Sequence, residues 1–429
     1  MDDEKLIIFG QNKIKGEISA TGAKNAAFPV LAASLLTDQD CVIGNIPLIE
    51  DVFRLLEIFQ GMGVEVSWIG QRKVKINAKR MNPSKINNET VSKFRGAVIL
   101  LGVMLARFKK ASLVQPGGCL IGPRPIDTHL SAFKELGVSV KKNNCKVNLS
   151  FNGQLKTNTV ILNEFSVTTT SNIMLFASSL TKPILIKTAD LDYPNQELIK
   201  VLNKMGAKVK VTGSHEIKVE GTTKLKGFKH DLIFDPIEAG TFIIMAAATK
   251  GDVLVKNVEY PFLSFVLKTL KDAGVPLEIK ADKKGKTEVR VRPWKSLKIK
   301  KVQSLPYPGF PSDLLSAMGV LATQAEGQTL IHDPLYEGRL RYLEGLTKMG
   351  ADVFFSDPHR AMINGPTRLY GEDMGSFDLR GGAALIIAGL IAKGRTSINN
   401  VYQIDRGYEK IEERLSKLGA DIKRIKNGQ

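Results

Sequence analysis

The chain has 429 residues, 43% of them hydrophobic and 24% charged, enough for two domains with ordinary cores. Its 61 basic against 43 acidic residues give a formal charge of +18, while aromatics are only 7%. Scattered lysines without interleaved rings exclude a nucleic-acid stripe and fit anionic small substrates drawn into a basic cleft.

In chain order, the opening MDDEKLIIFG is acidic with a short apolar run, which does not read as a secretory leader. An Ala-rich apolar segment follows, NAAFPVLAASLL, then the short strand DCVIGNI and the amphipathic LEIFQGMGVEV at 56–66. The same succession returns as GAVILLGVMLARF with LSAFKELGVSV at 130–140, and SNIMLFASSL with LIKVLNKMGAKV at 198–209. It returns three times more: AGTFIIMAAAT with LKTLKDAGVPL at 267–277, SDLLSAMGVLAT with LEGLTKMGADV at 343–353, and GGAALIIAGLIA with IEERLSKLGADI at 411–422. The marker glycines are Gly63, Gly137, Gly206, Gly274, Gly350 and Gly419. One unit is therefore copied six times. Each copy predicts a helix buried on every side, a strand, an exposed helix ended by glycine, and further strands. The longest apolar runs are too short to span a bilayer. Six copies make two lobes of three, with a cleft between them as the default site. The boundary falls at 227–233: residues 22–230 form one lobe, and 1–21 with 231–429 the other.

Unusual residues gather at the starts of the buried helices: Lys24, Arg95, Ser166, Asp313 and Arg380. Helix N-termini offer free N–H groups and positive potential, which favour phosphate or carboxylate. Ser166 and Ser312 read as plain N-caps. Capping does not account for Lys24, Arg95 and Arg380, because a cation opposes the dipole; an anion between them would. Arg339 and Arg406 each lie six residues into equivalent loops, DPLYEGR and NVYQIDR. In the second copy that loop is PGGCLIGPRPIDTHL, 116–130, with Cys119 and Arg124. A thiol in a tight turn among cations has a lowered pKa and is reactive. Cys41, Cys119 and Cys145 make no disulfide framework and suit a reducing cytoplasm. No metal-ligand spacing and no Gly-rich phosphate loop appears, so no metal and no cofactor is expected.

GAKNAAFPVL, PGGCLIGPRPIDTH, GFPSDL, YEGR, DLR and IDRGYE stand in the order and spacing of another group of proteins. From Leu6 to about Lys426 the chain resembles the UDP-N-acetylglucosamine enolpyruvyl transferase family. The resemblance implies an α/β fold of two lobes, an inside-out α/β barrel with three βαββαβ-type units in each. It implies transfer of the enolpyruvyl group of phosphoenolpyruvate to the 3-hydroxyl of UDP-N-acetylglucosamine, the first committed step of peptidoglycan synthesis, and sensitivity to fosfomycin. On it, Cys119 is the general acid, Asp313 the base, and Asp378 acts in the later elimination. Lys24, Arg124 and Arg406 hold phosphate and pyruvyl groups, with Arg339 and Arg380 near the carboxylate. Asn25, Arg95, Pro125, Asp127, Ser166, Val167, Thr168 and Leu335 line the nucleotide-sugar site. Phosphoenolpyruvate and UDP-N-acetylglucosamine are the partners; no nucleic acid, membrane or obligate protein partner is implied. The chain departs from the family pattern at Glu50, Ile99, Glu164, Thr168, Pro236 and the segment 190–198. Two alternatives remain: an enolpyruvyl transferase for another acceptor such as shikimate 3-phosphate, and a non-catalytic nucleotide-sugar-binding paralogue.

Overall fold

The computed structural model describes residues 4–114, 117, 125–143, 146–281 and 286–426. The chain divides into two compact units. One takes residues up to Thr21 and from Phe234 onward, and the other runs from Gly22 to Ile233.

The six Ala-rich segments are helices: Lys24–Ala33, Leu100–Phe108 and Val167–Ala177 in one unit, Pro236–Ala248, Ser312–Ala322 and Leu379–Ile391 in the other. Every residue of Pro236–Ala248 is buried, as is nearly all of Leu379–Ile391. In each unit the three helices pack on one another, and small residues let them approach closely. A Cβ on Gly102 would lie 2.3 Å from the backbone oxygen of Asn172 on the neighbouring helix. That proximity lets Asn172 accept from Gly102 N at 2.7 Å and donate to Val98 O at 2.9 Å. A buried amide with both ends bonded costs little and fixes the register of the two helices.

The second helix of each copy is amphipathic. Glu50–Gly61 buries Val52, Leu55, Leu56, Ile58 and Phe59 and turns Glu57 and Gln60 to solvent. All six marker glycines have positive φ, from 81° at Gly63 to 102° at Gly206. That backbone ends a helix and is strained for any side chain.

Each copy builds its own sheet. In the first, third, fourth and fifth copies the order is β-α-β-α-β-β, with the last two strands paired as a hairpin, so the expected βαββαβ order is corrected in that detail. In the third, fifth and sixth copies the strand entering the buried helix lies parallel to the strand leaving it, as Lys301–Gln303 does beside Gly327–His332. The first and fourth copies exchange these leading strands. Lys15–Ser19 precedes the first buried helix but pairs with Asp252–Val258 of the fourth copy. Lys229–Asp231 precedes the fourth but pairs with Cys41–Gly44 of the first. In the last copy the N-terminal strand Glu4–Phe9 pairs antiparallel with both Arg395–Asn399 and Asp421–Lys426, taking the hairpin's central place. Among the described residues the second copy has three strands, and no helix is long and apolar enough to cross a membrane.

Candidate active site

The polar residues cluster where the buried helices begin, because that is where free N–H groups and loop side chains meet. In the Gly22–Ile233 unit, Lys24 is the first residue of its helix and only 7% exposed. Its Nζ lies 2.8 Å from Asp51 Oδ2, in the first turn of Glu50–Gly61. A carboxylate of the chain itself thus lies beside this cation. Asn25 is half-buried next to it.

Arg95 opens the 3-10 turn Arg95–Ile99 that runs into Leu100–Phe108, and its Nη2 donates to Pro125 O at 3.2 Å. Asp127 begins the helix Asp127–Glu135 and pairs with Lys142. Ser166 is an N-cap as expected: its hydroxyl accepts from Thr169 N at 3.3 Å, ahead of Val167 at the first helical position. Thr168 Oγ1 sits 3.2 Å from His129 Nε2, while Asn172 Nδ2 lies 3.0 Å from His129 Nδ1. Asn172 can only donate there, so the ring carries its proton on Nε2, toward Thr168. Burial, with Arg95 nearby, pushes the His129 pKa down to about 3, so the ring is neutral. Arg95, Pro125, Asp127, Ser166 and Thr168 therefore belong to linked helix starts. Cys119 and Arg124 lie outside the described residues.

In the other unit the network is denser. Asp313, the second residue of Ser312–Ala322, accepts from Arg339 Nη2 at 3.0 Å and from Arg380 Nε at 3.1 Å. Arg339 is fully buried and also donates through Nε to Ser312 Oγ at 3.0 Å, with Asp333 at 3.7 Å and Asp378 at 3.9 Å. Burial opposes its charge, but Asp313, Asp378 and Asp333 raise its pKa above the ordinary value. Asp378 caps its helix, accepting from Arg380 N and Gly381 N at 3.0 Å each. Arg380 Nη1 also donates to Tyr408 Oη at 3.1 Å, and Tyr408 meets Thr241 Oγ1 at 2.8 Å, so all three buried helices of this unit are joined. Arg406 follows the one-turn helix Tyr402–Asp405, is 6% exposed and donates to Gln403 Oε1 at 3.0 Å. Leu335 is exposed in the loop before Arg339. Ser312 is not the N-cap expected of it: Pro311 holds that place, and Ser312 Oγ donates to Asp333 Oδ2 at 2.5 Å.

A carboxylate held between two arginines is fixed in orientation, while its side chain is 28% exposed and open to a ligand hydroxyl. The sequence reading passed over Asp333, which is 0% exposed and also accepts from Leu335 N and Tyr336 N at 2.9 and 3.1 Å. Its place at the head of the DPLYEGR loop was the available signal. Asp51 was missed as well, since nothing local distinguishes it from its neighbour Glu50. Among the departures, Glu164 is exposed and accepts from Thr128 Oγ1 at 3.0 Å. Pro236 follows the N-cap Asp235 at a position where its missing N–H costs nothing. In the segment 190–198, Asp192 caps Tyr193–Lys204 and Asn195 bonds Asp190 at 2.9 Å.

The comparisons agree over nearly the whole chain. A family model described as EPSP synthase (3-phosphoshikimate 1-carboxyvinyltransferase) matches residues 8–415. A UDP-N-acetylglucosamine 1-carboxyvinyltransferase of Halothermothrix orenii is 42% identical over 98% of this chain and 100% of its own. One from Treponema denticola is 38% identical over 97% and 98%. Among solved structures, the enolpyruvyl transferase NikO from Streptomyces tendae superposes with a TM-score of 0.88 at 23% identity, covering 99% of each chain. EPSP synthase from Acinetobacter baumannii gives 0.75 at 19%, covering 99% of this chain and 100% of that one. These two establish the fold; the full-length identity to the curated relatives goes further, and by it the chain belongs to the UDP-N-acetylglucosamine 1-carboxyvinyltransferase family within the wider EPSP synthase family.

Proposed function

We propose that the chain transfers the enolpyruvyl group of phosphoenolpyruvate to the 3-hydroxyl of UDP-N-acetylglucosamine and releases phosphate, in the cytoplasm. The observation that carries this reading is the 42% identity over the full length of a relative bearing that name. Asp313, with its two arginine partners, supports it from the side of the geometry.

In this reading Asp313 takes the proton of the acceptor hydroxyl as its oxygen attacks C2 of phosphoenolpyruvate. Cys119 delivers a proton to C3, because the double bond is a poor electrophile until that carbon is protonated. The product of addition is a tetrahedral ketal that keeps both carboxylate and phosphate. Lys24, Arg124 and Arg406 hold the phosphate and pyruvyl oxygens, and Arg380 lies toward the carboxylate, which is electrostatic stabilisation of the addition step. Loss of phosphate with removal of a C3 proton, assisted by Asp378, restores the enol ether. Arg339, whose contacts are with Ser312, Asp313 and Asp333, acts chiefly by orienting the Asp313 carboxylate. Asn25, Arg95, Pro125, Asp127, Ser166, Val167, Thr168 and Leu335 form the acceptor side.

The test is phosphate release from phosphoenolpyruvate with UDP-N-acetylglucosamine, and in parallel with shikimate 3-phosphate. Turnover with the first alone supports the proposal. Turnover with shikimate 3-phosphate alone, or binding of the nucleotide sugar without turnover, would replace it by the corresponding alternative.

A further inference from the structure

Arg424 lies in the last strand, Asp421–Lys426, opposite Leu6 of the N-terminal strand. Its guanidinium meets three carboxylates. Nη2 and Nη1 donate to the two oxygens of Asp405 at 2.7 and 2.8 Å. Nε and Nη2 donate to the two oxygens of Glu412 at 2.9 and 3.1 Å, and Nη1 donates to Glu4 at 2.9 Å. A guanidinium has five N–H donors in a planar fork, and these five bonds use them all. The Asp405 bond is foremost among the contacts that raise its pKa above the ordinary arginine value.

Asp405 is the last residue of Tyr402–Asp405, and Arg406 is the next. A helix of four residues cannot hold itself, since nucleation alone is unfavourable, and this one has no side-chain cap at its start. On the other side of Arg406, Glu412 stands in the first turn of Ile411–Ser416. One side chain thus fastens the segment before Arg406 and the helix after it to the same pair of strands.

We propose that Arg424 is a positioning residue for the donor site, acting through Asp405 on the placement of Arg406. This rests on the reading of Arg406 as a phosphoenolpyruvate ligand. Lysine could pair with one of these carboxylates but not hold Asp405 and Glu412 together, because its ammonium has no planar fork.

The experiment is steady-state kinetics of phosphate release for Arg424→Gln, Arg424→Lys, Arg406→Ala and the Arg424→Gln/Arg406→Ala double variant, each substrate varied at saturation of the other. Arg424→Gln should raise the phosphoenolpyruvate KM by roughly 10-fold, the scale of a small misplacement at a binding group, and leave the acceptor KM within about twofold. Arg424→Lys should fall between. In the double variant the donor KM should match that of Arg406→Ala alone. Additive losses in the double, or equal rises in both KM values with a lower melting temperature, would overturn the proposal and assign Arg424 a structural role. An unchanged donor KM in Arg406→Ala overturns the reading of Arg406 itself, and the proposal with it. Should Arg424→Gln fail to fold, Asp405→Asn removes the same link and must give the same donor-specific rise.

Discussion

Replacing Asp313 with Asn separates what its carboxylate does for the fold from what it does in the reaction. Asn keeps the shape and one acceptor oxygen, but turns an N–H₂ toward a guanidinium that can only donate. Two charge-assisted bonds, from Arg339 at 3.0 Å and Arg380 at 3.1 Å, are affected. Each is worth roughly 1.5–3 kcal/mol, and one survives, weakened, with only its guanidinium donor charged. Breaking a wholly buried ion pair costs about 3–5 kcal/mol, which is an upper bound here. Arg339 retains Ser312 and Asp333, Arg380 retains Tyr408, and the Asp313 side chain is 28% exposed. The loss should therefore be about 2–3 kcal/mol. For a unit of this size that lowers the melting temperature by roughly 4–12 °C. Turnover should fall by at least ~10²-fold, the scale of a general base, while UDP-N-acetylglucosamine still binds by calorimetry. Scanning calorimetry and phosphate release read the two effects separately. A melting temperature unchanged within a degree would refute the pairing argument, and a turnover loss below tenfold would refute the base.

His129 makes stability pH-dependent in a known direction. Its pKa falls from 6.5 to about 3 on folding, so the unfolded chain binds a proton that the native one does not. Stability should therefore drop by about 1.4 kcal/mol per pH unit below pH ~6.5; His129→Gln should flatten denaturant midpoints between pH 6 and 4 relative to wild type, and an unaltered slope would place the titrating group elsewhere. Burial pushes the Cys41 thiol up to about 11, so fosfomycin or a maleimide at pH 8 should modify Cys119 and spare Cys41, as peptide mass mapping would read; modification of Cys41 in the native protein would contradict its burial. Glu164→Lys reverses one exposed charge, worth about 1 kcal/mol or less; a few-fold lower acceptor KM with an unchanged donor KM is expected, and no change at all puts Glu164 outside the site.

Much of the architecture was legible because it is written six times. The marker glycines needed left-handed backbone and all have it, and the Ala-rich segments were buried because small residues let three helices crowd one centre. The exchange of leading strands between the first and fourth copies was not legible, since Lys15–Ser19 and Lys229–Asp231 carry no mark of which partner they choose. The charged positions at helix starts were readable from their conflict with the dipole. Their partners were not: Asp51 and Asp333 are short carboxylates in sequences where exposed ones are equally at home. Ser312 was misread because its neighbour Pro311 already had the cap backbone. Pairings fixed by tertiary approach leave no local trace, and the Arg424 cluster, joining residues 4, 405 and 412, is of that kind.

The central place of Glu4–Phe9 between two C-terminal strands sets an order of events during synthesis. The Gly22–Ile233 unit is self-contained in sequence and can close once Lys229–Asp231 has been made and laid beside Cys41–Gly44. The first strand, by contrast, has no neighbour until Arg395–Asn399 emerges and is not flanked on both sides until Asp421–Lys426 does. At about 5–20 residues per second, it waits on the order of half a minute with Leu6, Ile7 and Ile8 as an unpaired apolar edge. A nascent chain of this protein is therefore exposed to misassociation at Glu4–Phe9 until Arg395–Asn399 has been made.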